Sequence, residues 1–373
     1  MKSASNRTPC LALAAPALGA LLVVGAAAAH SIELDDQRRQ HLAQTAESLD
    51  ALHTMLVLHD GEEIFERNVR GPDSSAPVNL KSLSKTILSV LAGIAIDRGV
   101  IDSADQPLVE LLDVQVPADA TEGVKNITLG HALSLRAGLQ STSGRNYGRW
   151  VQSPNWVAHV LTRPMVDQPG GRMIYSTGST HLAAAALVAA SGETLLELAR
   201  DWLGEPLNIR IQDWMRDPQG IHFGGNEMHL SPRAVARIGE LYRLDGEIDG
   251  RRVVSKEWIE QSWTPRARSP WSGDLYGYGW FITEIAGARA YYGRGYGGQM
   301  LYVVPSAALT VVITSRSVPP SEGGRYVRRL HRLVAGLIET IIATSIATAD
   351  GRATFPDHAA AAGRRDFAVK ASR

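Results

Sequence analysis

Cysteine is all but missing from this chain: Cys10 is the single one, and it lies within an apolar N-terminal run. A mature chain starting beyond that run has no disulfide, no thiol nucleophile and no cysteine-built metal site. Net charge is missing as well, since 38 Lys and Arg balance 38 Asp and Glu. With no basic stripe interleaved with aromatics either, the footprint of a nucleic-acid binder is absent. There is no G-x-S-x-G elbow, which argues against a histidine-based α/β-hydrolase. There is no H-E-x-x-H pair, and His222 and His229 lack its spacing, which argues against a zinc hydrolase. His131 and His181 stand near segments of interest, but a lone histidine is more often structural. No metal and no cofactor is implied. Lysine is also scarce. Basic positions are overwhelmingly Arg, with Lys only at positions 2, 81, 85, 125, 256 and 370.

What the N-terminus does have is Lys2 and Arg7 before an apolar stretch over 10–24, then small residues over 26–29. Charge, length and cleavage chemistry read as a secretory signal peptide over 1–29, so the expected location is periplasmic or secreted, without stable membrane insertion. The rival is an uncleaved anchor, because the run approaches spanning length.

Residues 30–350 read as one α+β domain. Met55-Leu56-Val57-Leu58 and Glu63-Ile64-Phe65 flank His59-Asp60-Gly61-Glu62 as a hairpin. From Ser82 the apolar period becomes helical through Ile87, Leu88, Leu91, Ile94 and Ala95, and Gly99 ends it. Mainly helical segments follow, among them 181–190 and 195–203, and a helix that Ser231 caps with Pro232 in its first position. Strand character returns at 278–283, 290–292, 300–304 and 309–314. A last helix puts Val327, Leu330, Leu333, Val334, Leu337, Ile338 and Ile341 on one face. Residues 351–373, rich in Ala, Gly and Arg, read as a disordered tail. The expected architecture is an antiparallel sheet flanked by helices (about 45–107 and 270–347) with an inserted helical lobe (about 108–269), the cleft between them serving a small molecule.

The tetrapeptide Ser82-Leu83-Ser84-Lys85 stands at the start of the first strong helix. Residues three apart share a helix face, and a serine hydroxyl needs a neighbouring base to become a nucleophile. Lysine can give up its proton when buried, whereas arginine cannot. The bland alternative is a serine cap beside a solvated lysine. Tyr175-Ser176-Thr177 follows a Gly-rich loop directly before a helix, where a tyrosine can relay a proton if a lysine stabilises its phenolate; the alternative is a core aromatic. Gly293-Arg294-Gly295-Tyr296-Gly297-Gly298-Gln299 precedes a strand and lets a substrate approach its edge, or is simply a turn.

In that order, Ser82-x-x-Lys85, Tyr175-Ser176-Thr177 and the late Gly-rich segment resemble the serine β-lactamase superfamily. The similarity runs over about 52–342, nearest to class C β-lactamase-like hydrolases. That branch includes esterases, D-amino-acid peptidases and 6-aminohexanoate-dimer hydrolase. The resemblance implies Ser82 as nucleophile, Lys85 and Tyr175 as base and proton relay, and the Ser82 and Tyr296 amides as oxyanion hole. Thr177, Arg294 and Gly295 are implied in substrate binding, the partner being a small ester, amide or peptide. β-Lactam-hydrolysing relatives carry Asn where Thr177 stands and Lys-Thr-Gly in place of Gly293-Arg294-Gly295. An esterase or amide hydrolase is therefore the expectation, with a β-lactamase of residual activity or an acylated, non-turnover sensor as alternatives.

Overall fold

The computed structural model describes residues 32–112 and 117–349. The expected signal peptide over 1–29 and tail over 351–373 lie outside the described residues. Strands β1 (Leu52–His59) and β2 (Glu62–Asn68) form the expected hairpin. Its two-residue turn puts Asp60 and Gly61 at φ 49° and 85°, the doubly left-handed geometry that matches strand twist. The remaining strands of the sheet come from the far end of the chain: β3 (Ala267–Arg268), β4 (Leu275–Tyr276), β5 (Phe281–Ile285), β6 (Ala288–Gly295), β7 (Gln299–Val304) and β8 (Leu309–Ser315). The order is β2-β1-β8-β7-β6-β5-β4-β3, antiparallel throughout. Pairing of Met55 with Ile313 and Val57 with Val311 joins the two ends of the domain. Everything between β2 and β3 is thereby an insertion.

Period-two alternation assigns the sheet's faces. Met300, Tyr302 and Val304 belong to one core cluster, with Leu330, Val334 and Ile338 of the last helix. Leu301 and Val303 belong to the other, with the inserted helices. β7 is buried at every position, so beyond Gln299 it reads as an unbroken apolar run.

Five helices matter for the site. Helix α1 (Asp36–Glu47) was not legible in the sequence, because only Leu42 and Ala46 on it are buried. It packs against β1, β2 and the last helix. Helix α2 (Ser84–Asp97) and helix α3 (Thr177–Ser191) run through the second cluster. Helix α4 (Pro232–Arg243) begins as expected, with Ser231 Oγ accepting from Ala234 N at 3.1 Å. Helix α5 (Gly324–Ala349) closes the first cluster.

Two expectations are corrected. α4 falls in the stretch assigned to the inserted lobe, yet it packs directly on β7 and β8. Its Gly239 is the reason: a Cβ there would stand 2.6 Å from Thr310 Cγ2 and 2.8 Å from Leu301 Cδ1. Residues 278–280, read as strand, are the turn between β4 and β5. Gly279 has φ 78°, and its carbonyl accepts from Thr86 Oγ1 at 2.8 Å, which ties the turn to α2.

Because α4 approaches this closely, Gly239→Ala is expected to lose about 1–3 kcal/mol through overpacking. Urea denaturation should show a lower midpoint with an unchanged slope; an unchanged midpoint would mean the helix has room to spare.

Candidate active site

Ser82 lies not at an ordinary helix cap but in the 3₁₀ turn Lys81–Leu83 that leads into α2. Lys81 takes φ 51°, a costly conformation for a residue with a Cβ, and one that needs support from its surroundings. Its neighbours supply that support. Asn79 Oδ1 accepts from Lys81 N at 2.9 Å, and Ser84 Oγ donates to Lys81 O at 2.6 Å. Lys81 Nζ lies 3.1 Å from Glu227 Oε1. Val78-Asn79 also pairs with His229-Leu230, so the turn is clamped to the inserted segment before α4.

Lys85 is buried, 3% exposed, which rules out a solvated lysine. Its Nζ lies 3.1 Å from Ser82 Oγ, 3.2 Å from Thr177 Oγ1 and 2.7 Å from Gly225 O. The same nitrogen stands 5.1 Å from the centre of the Tyr175 ring. Burial lowers its pKa to about 7. Gly225, with φ 95°, admits no other residue comfortably: a Cβ would stand 2.7 Å from Lys85 Cγ and 2.5 Å from Thr180 Oγ1.

Tyr175 precedes α3 as expected. Burial pushes its phenol up, while the Ser82 hydroxyl beside it and the Arg294 charge oppose the shift. The tyrosine is therefore a neutral proton donor at rest, not a phenolate. Three short hydroxyl residues fix it in place. Ser141 Oγ donates to Tyr175 O at 2.6 Å, Thr142 N to Ser176 Oγ at 3.1 Å, and Thr177 N to Ser143 Oγ at 2.9 Å. None of Ser141, Thr142, Ser143 or Gly225 stood out in the sequence. The one available signal was a run of small hydroxyls after a Gly-Leu pair. Thr177, expected at the substrate, has its hydroxyl taken up by Lys85 and by Ser143 Oγ at 3.1 Å. It sits beside Lys85 and is not among the residues of the cleft wall.

Ser82 and Tyr175 open onto a cleft of about 560 Å³ whose wall includes Trp271, Arg294, Gly295 and Tyr296. Trp271 is 70% exposed and meets the Tyr175 ring edge-on at 6.0 Å. Gly295 contributes only main chain, since a Cβ there would stand 2.1 Å from Leu80 O. Its smallness lets β6 come against the turn that carries Ser82, and Ser82 and Tyr296 both line the cleft. Arg294 reaches the cleft from β6, and Arg328 and His331 reach it from α5. Three of the histidines singled out in the sequence, His131, His222 and His229, are bound up away from the cleft. His131 Nδ1 accepts from Thr128 N at 3.2 Å in a capping box. His222 Nε2 lies 2.8 Å from Asp213 Oδ1, and His229 Nδ1 lies 2.9 Å from Glu227 O.

A serine hydroxyl, a buried amine poised near neutrality and a neutral phenol gathered at one cleft are the groups that acyl transfer by a serine uses. Comparison with known proteins gives the chain's family and fold. The Beta-lactamase family model matches residues 39–336. The 6-aminohexanoate-dimer hydrolase of Paenarthrobacter ureafaciens is 26% identical over 223 residues, 55% of each chain. Among solved structures, EstCE1, a hydrolase with promiscuous acyltransferase activity, superposes with a TM-score of 0.65. It is 18% identical, and the match covers 80% of this chain and 98% of that one. A D-stereospecific amidohydrolase from Streptomyces gives 0.63 at 14% identity, covering 79% and 98%. These structural likenesses speak for the fold.

The buried amine has a thermodynamic signature. Lys85 titrates near 7 in the folded chain against 10.5 for an ordinary lysine. Below pH 7 both states carry the proton, and the folded state bears the full cost of a buried charge. Between about 7 and 10.5 only the unfolded chain carries it, so stability rises with pH across that window. Wild type is expected to gain several kcal/mol relative to Lys85→Met over that range. Urea unfolding at a series of pH values tests this, and a difference that is flat with pH would refute the buried amine.

Proposed function

The chain belongs to the β-lactamase family and has its fold, and on that premise we propose that it is an exported serine hydrolase that acylates Ser82 from an ester or amide and then hydrolyses the acyl-enzyme. Members of this fold family are serine hydrolases acting on esters and amides. One observation carries the reading: the Lys85 amine, drawn to about 7 by burial, stands 3.1 Å from Ser82 Oγ. Export rests on the sequence over 1–29 alone.

Neutral Lys85 takes the Ser82 proton as Oγ attacks the carbonyl carbon. The Ser82 and Tyr296 amides hold the oxygen that gains charge, a contribution among the largest in acyl transfer. Tyr175 protonates the departing oxygen or nitrogen, and the Lys85 ammonium returns a proton to the phenoxide. In the second half a water gives its proton to neutral Lys85, its oxygen attacks the acyl carbon, and Ser82 leaves as a hydroxyl with the proton that Lys85 held.

Two features bear on the substrate. Where β-lactam-hydrolysing relatives place a lysine, this chain has Gly293, and the position is closed to side chains. A Cβ there would stand 2.3 Å from Leu83 Cδ1 and 2.5 Å from Thr86 Oγ1. Efficient β-lactam turnover is thus not expected. Among the described residues, neither Arg294 nor Arg328 pairs with a carboxylate, though both line the cleft. An acyl or leaving group bearing a carboxylate suits them better than a neutral one.

On p-nitrophenyl esters, kcat/KM should rise with pH through about 7, as Lys85 loses its proton. Ser82→Ala and Lys85→Arg should each cost about 10³-fold or more. Sustained release past the first equivalent supports a turning-over enzyme. A single stoichiometric burst would instead mark a sensor that is acylated and stays so. Arg294→Ala should penalise hemisuccinate esters more than butyrate esters; equal losses would remove the case for a carboxylate.

A further inference from the structure

The carbonyl that receives Lys85 Nζ belongs to a corner, Gly224-Gly225, and that corner rests on α3. Thr177, Thr180, His181 and Ala184 follow one another at i, i+3, i+4 and i+7, one face of the helix. Thr177 Oγ1 meets Lys85 Nζ directly. Thr180 Oγ1 donates to Gly224 O at 2.8 Å, and Gly224 N donates to His181 Nδ1 at 3.2 Å. A Cβ on Gly224 would stand 2.4 Å from Ala184 Cβ, so the corner lies flat on the helix.

His181 is fully buried, its ring edge-on to Trp150, Trp156 and Phe223. Its Nε2 lies 2.9 Å from Asp217 Oδ2, and neither side chain reaches solvent. Nδ1 must carry a lone pair to accept from Gly224, so the ring proton is on Nε2, facing the carboxylate. Asp217 Oδ1 is already occupied, accepting from Gln219 N and Ile221 N at 2.9 Å each. Each polar atom of the pair therefore has one direction. A buried ionisable pair is a poor way to stabilise a core that an apolar ring could fill. What this pair does set is the position of the Gly224 amide.

We propose that His181 and Asp217 are positioning residues for the base. Asp217 selects the imidazole tautomer that accepts from Gly224 N, and the corner so fixed holds the Gly225 carbonyl against Lys85 Nζ. Neither residue touches substrate. The proposal rests on Lys85 acting on Ser82, as read above.

Three variants separate this role from simple packing. In Asp217→Asn the amide oxygen is kept by the two turn amides, so the NH2 faces the ring. The ring proton must then move to Nδ1, where it opposes the Gly224 N–H. His181→Gln still reaches Asp217 but offers no acceptor at the Nδ1 position. His181→Asn offers that acceptor but leaves Asp217 buried and unpaired. The measurement is the rate of Ser82 labelling by a fluorescent phosphonate, with Tm read alongside.

Asp217→Asn and His181→Gln should label about 30-fold more slowly or worse, the scale of loss from sub-ångström misplacement of a reacting group. His181→Asn should stay within about threefold of wild type although its Tm falls furthest, because an unpaired buried carboxylate is strongly destabilising. In Asp217→Asn the acid limb of labelling should also move upward from about 7, as a loosened corner admits water to Nζ. Labelling rates that follow Tm, or Asp217→Asn labelling at the wild-type rate, would overturn the proposal. Asp217→Asn, being nearly isosteric, decides alone if His181→Asn does not fold. Lys85→Arg is the control for the underlying reading: if it labels like wild type, that reading fails, whatever the other variants do.

Discussion

An amine almost out of reach of water, within hydrogen-bond distance of a serine hydroxyl, is the constraint around which this domain is arranged. A buried ammonium is unfavourable unless it is paired or loses its proton, and Lys85 has no carboxylate among the groups that touch it. It has Ser82, Thr177 and the Gly225 carbonyl. Each arrives from a different part of the chain, and each must approach closely. Gly225 lets one main-chain segment close on the lysine, and Gly295 lets β6 close on the turn before it. Loss of side chains at these positions is how the site reaches its density.

Around that centre, rigidity comes from short polar side chains more than from ion pairs. Ser141, Thr142 and Ser143 engage Tyr175, Ser176 and Thr177 one after another. Such side-chain bonds to backbone are modest individually. Their value here is that serine and threonine have few rotamers to lose, so little entropy opposes the fixed geometry. The charged groups are placed outward of this layer. Arg294 and Arg328 line the cleft, where they can meet substrate without destabilising a protonated Lys85 from within its own shell.

Legibility differed from residue to residue for physical reasons. Ser82 and Lys85 stood out because helical spacing puts i and i+3 together, and because lysine is rare in a chain rich in arginine. Tyr175 was marked by its Gly-rich approach to a helix. Its protonation was not, since burial is a property of the packed molecule and here it opposes the phenolate. Thr177 was read as a substrate contact, and its hydroxyl is found bonded to Lys85 and Ser143. Helix α1 escaped notice because two small buried contacts leave almost no apolar period. The strand read over 278–283 is half turn, because aromatic and β-branched content does not reveal that Gly279 must fold back on α2.

The sequence by itself determined the strand-helix-strand order, the hairpin at Asp60-Gly61, the face of the last helix and the serine-lysine pair. These follow from periodicity and from covalent neighbours, which act over a few residues. Tertiary structure alone decided that β1 pairs with β8, that α4 lies on the sheet, and that Gly225 and the His181–Asp217 pair converge behind Lys85. Those contacts join residues more than 30 positions apart, and nothing local in either partner names the other. Burial of the amine, and with it a pKa near neutrality, belongs to the second group: it exists only once all three walls have closed.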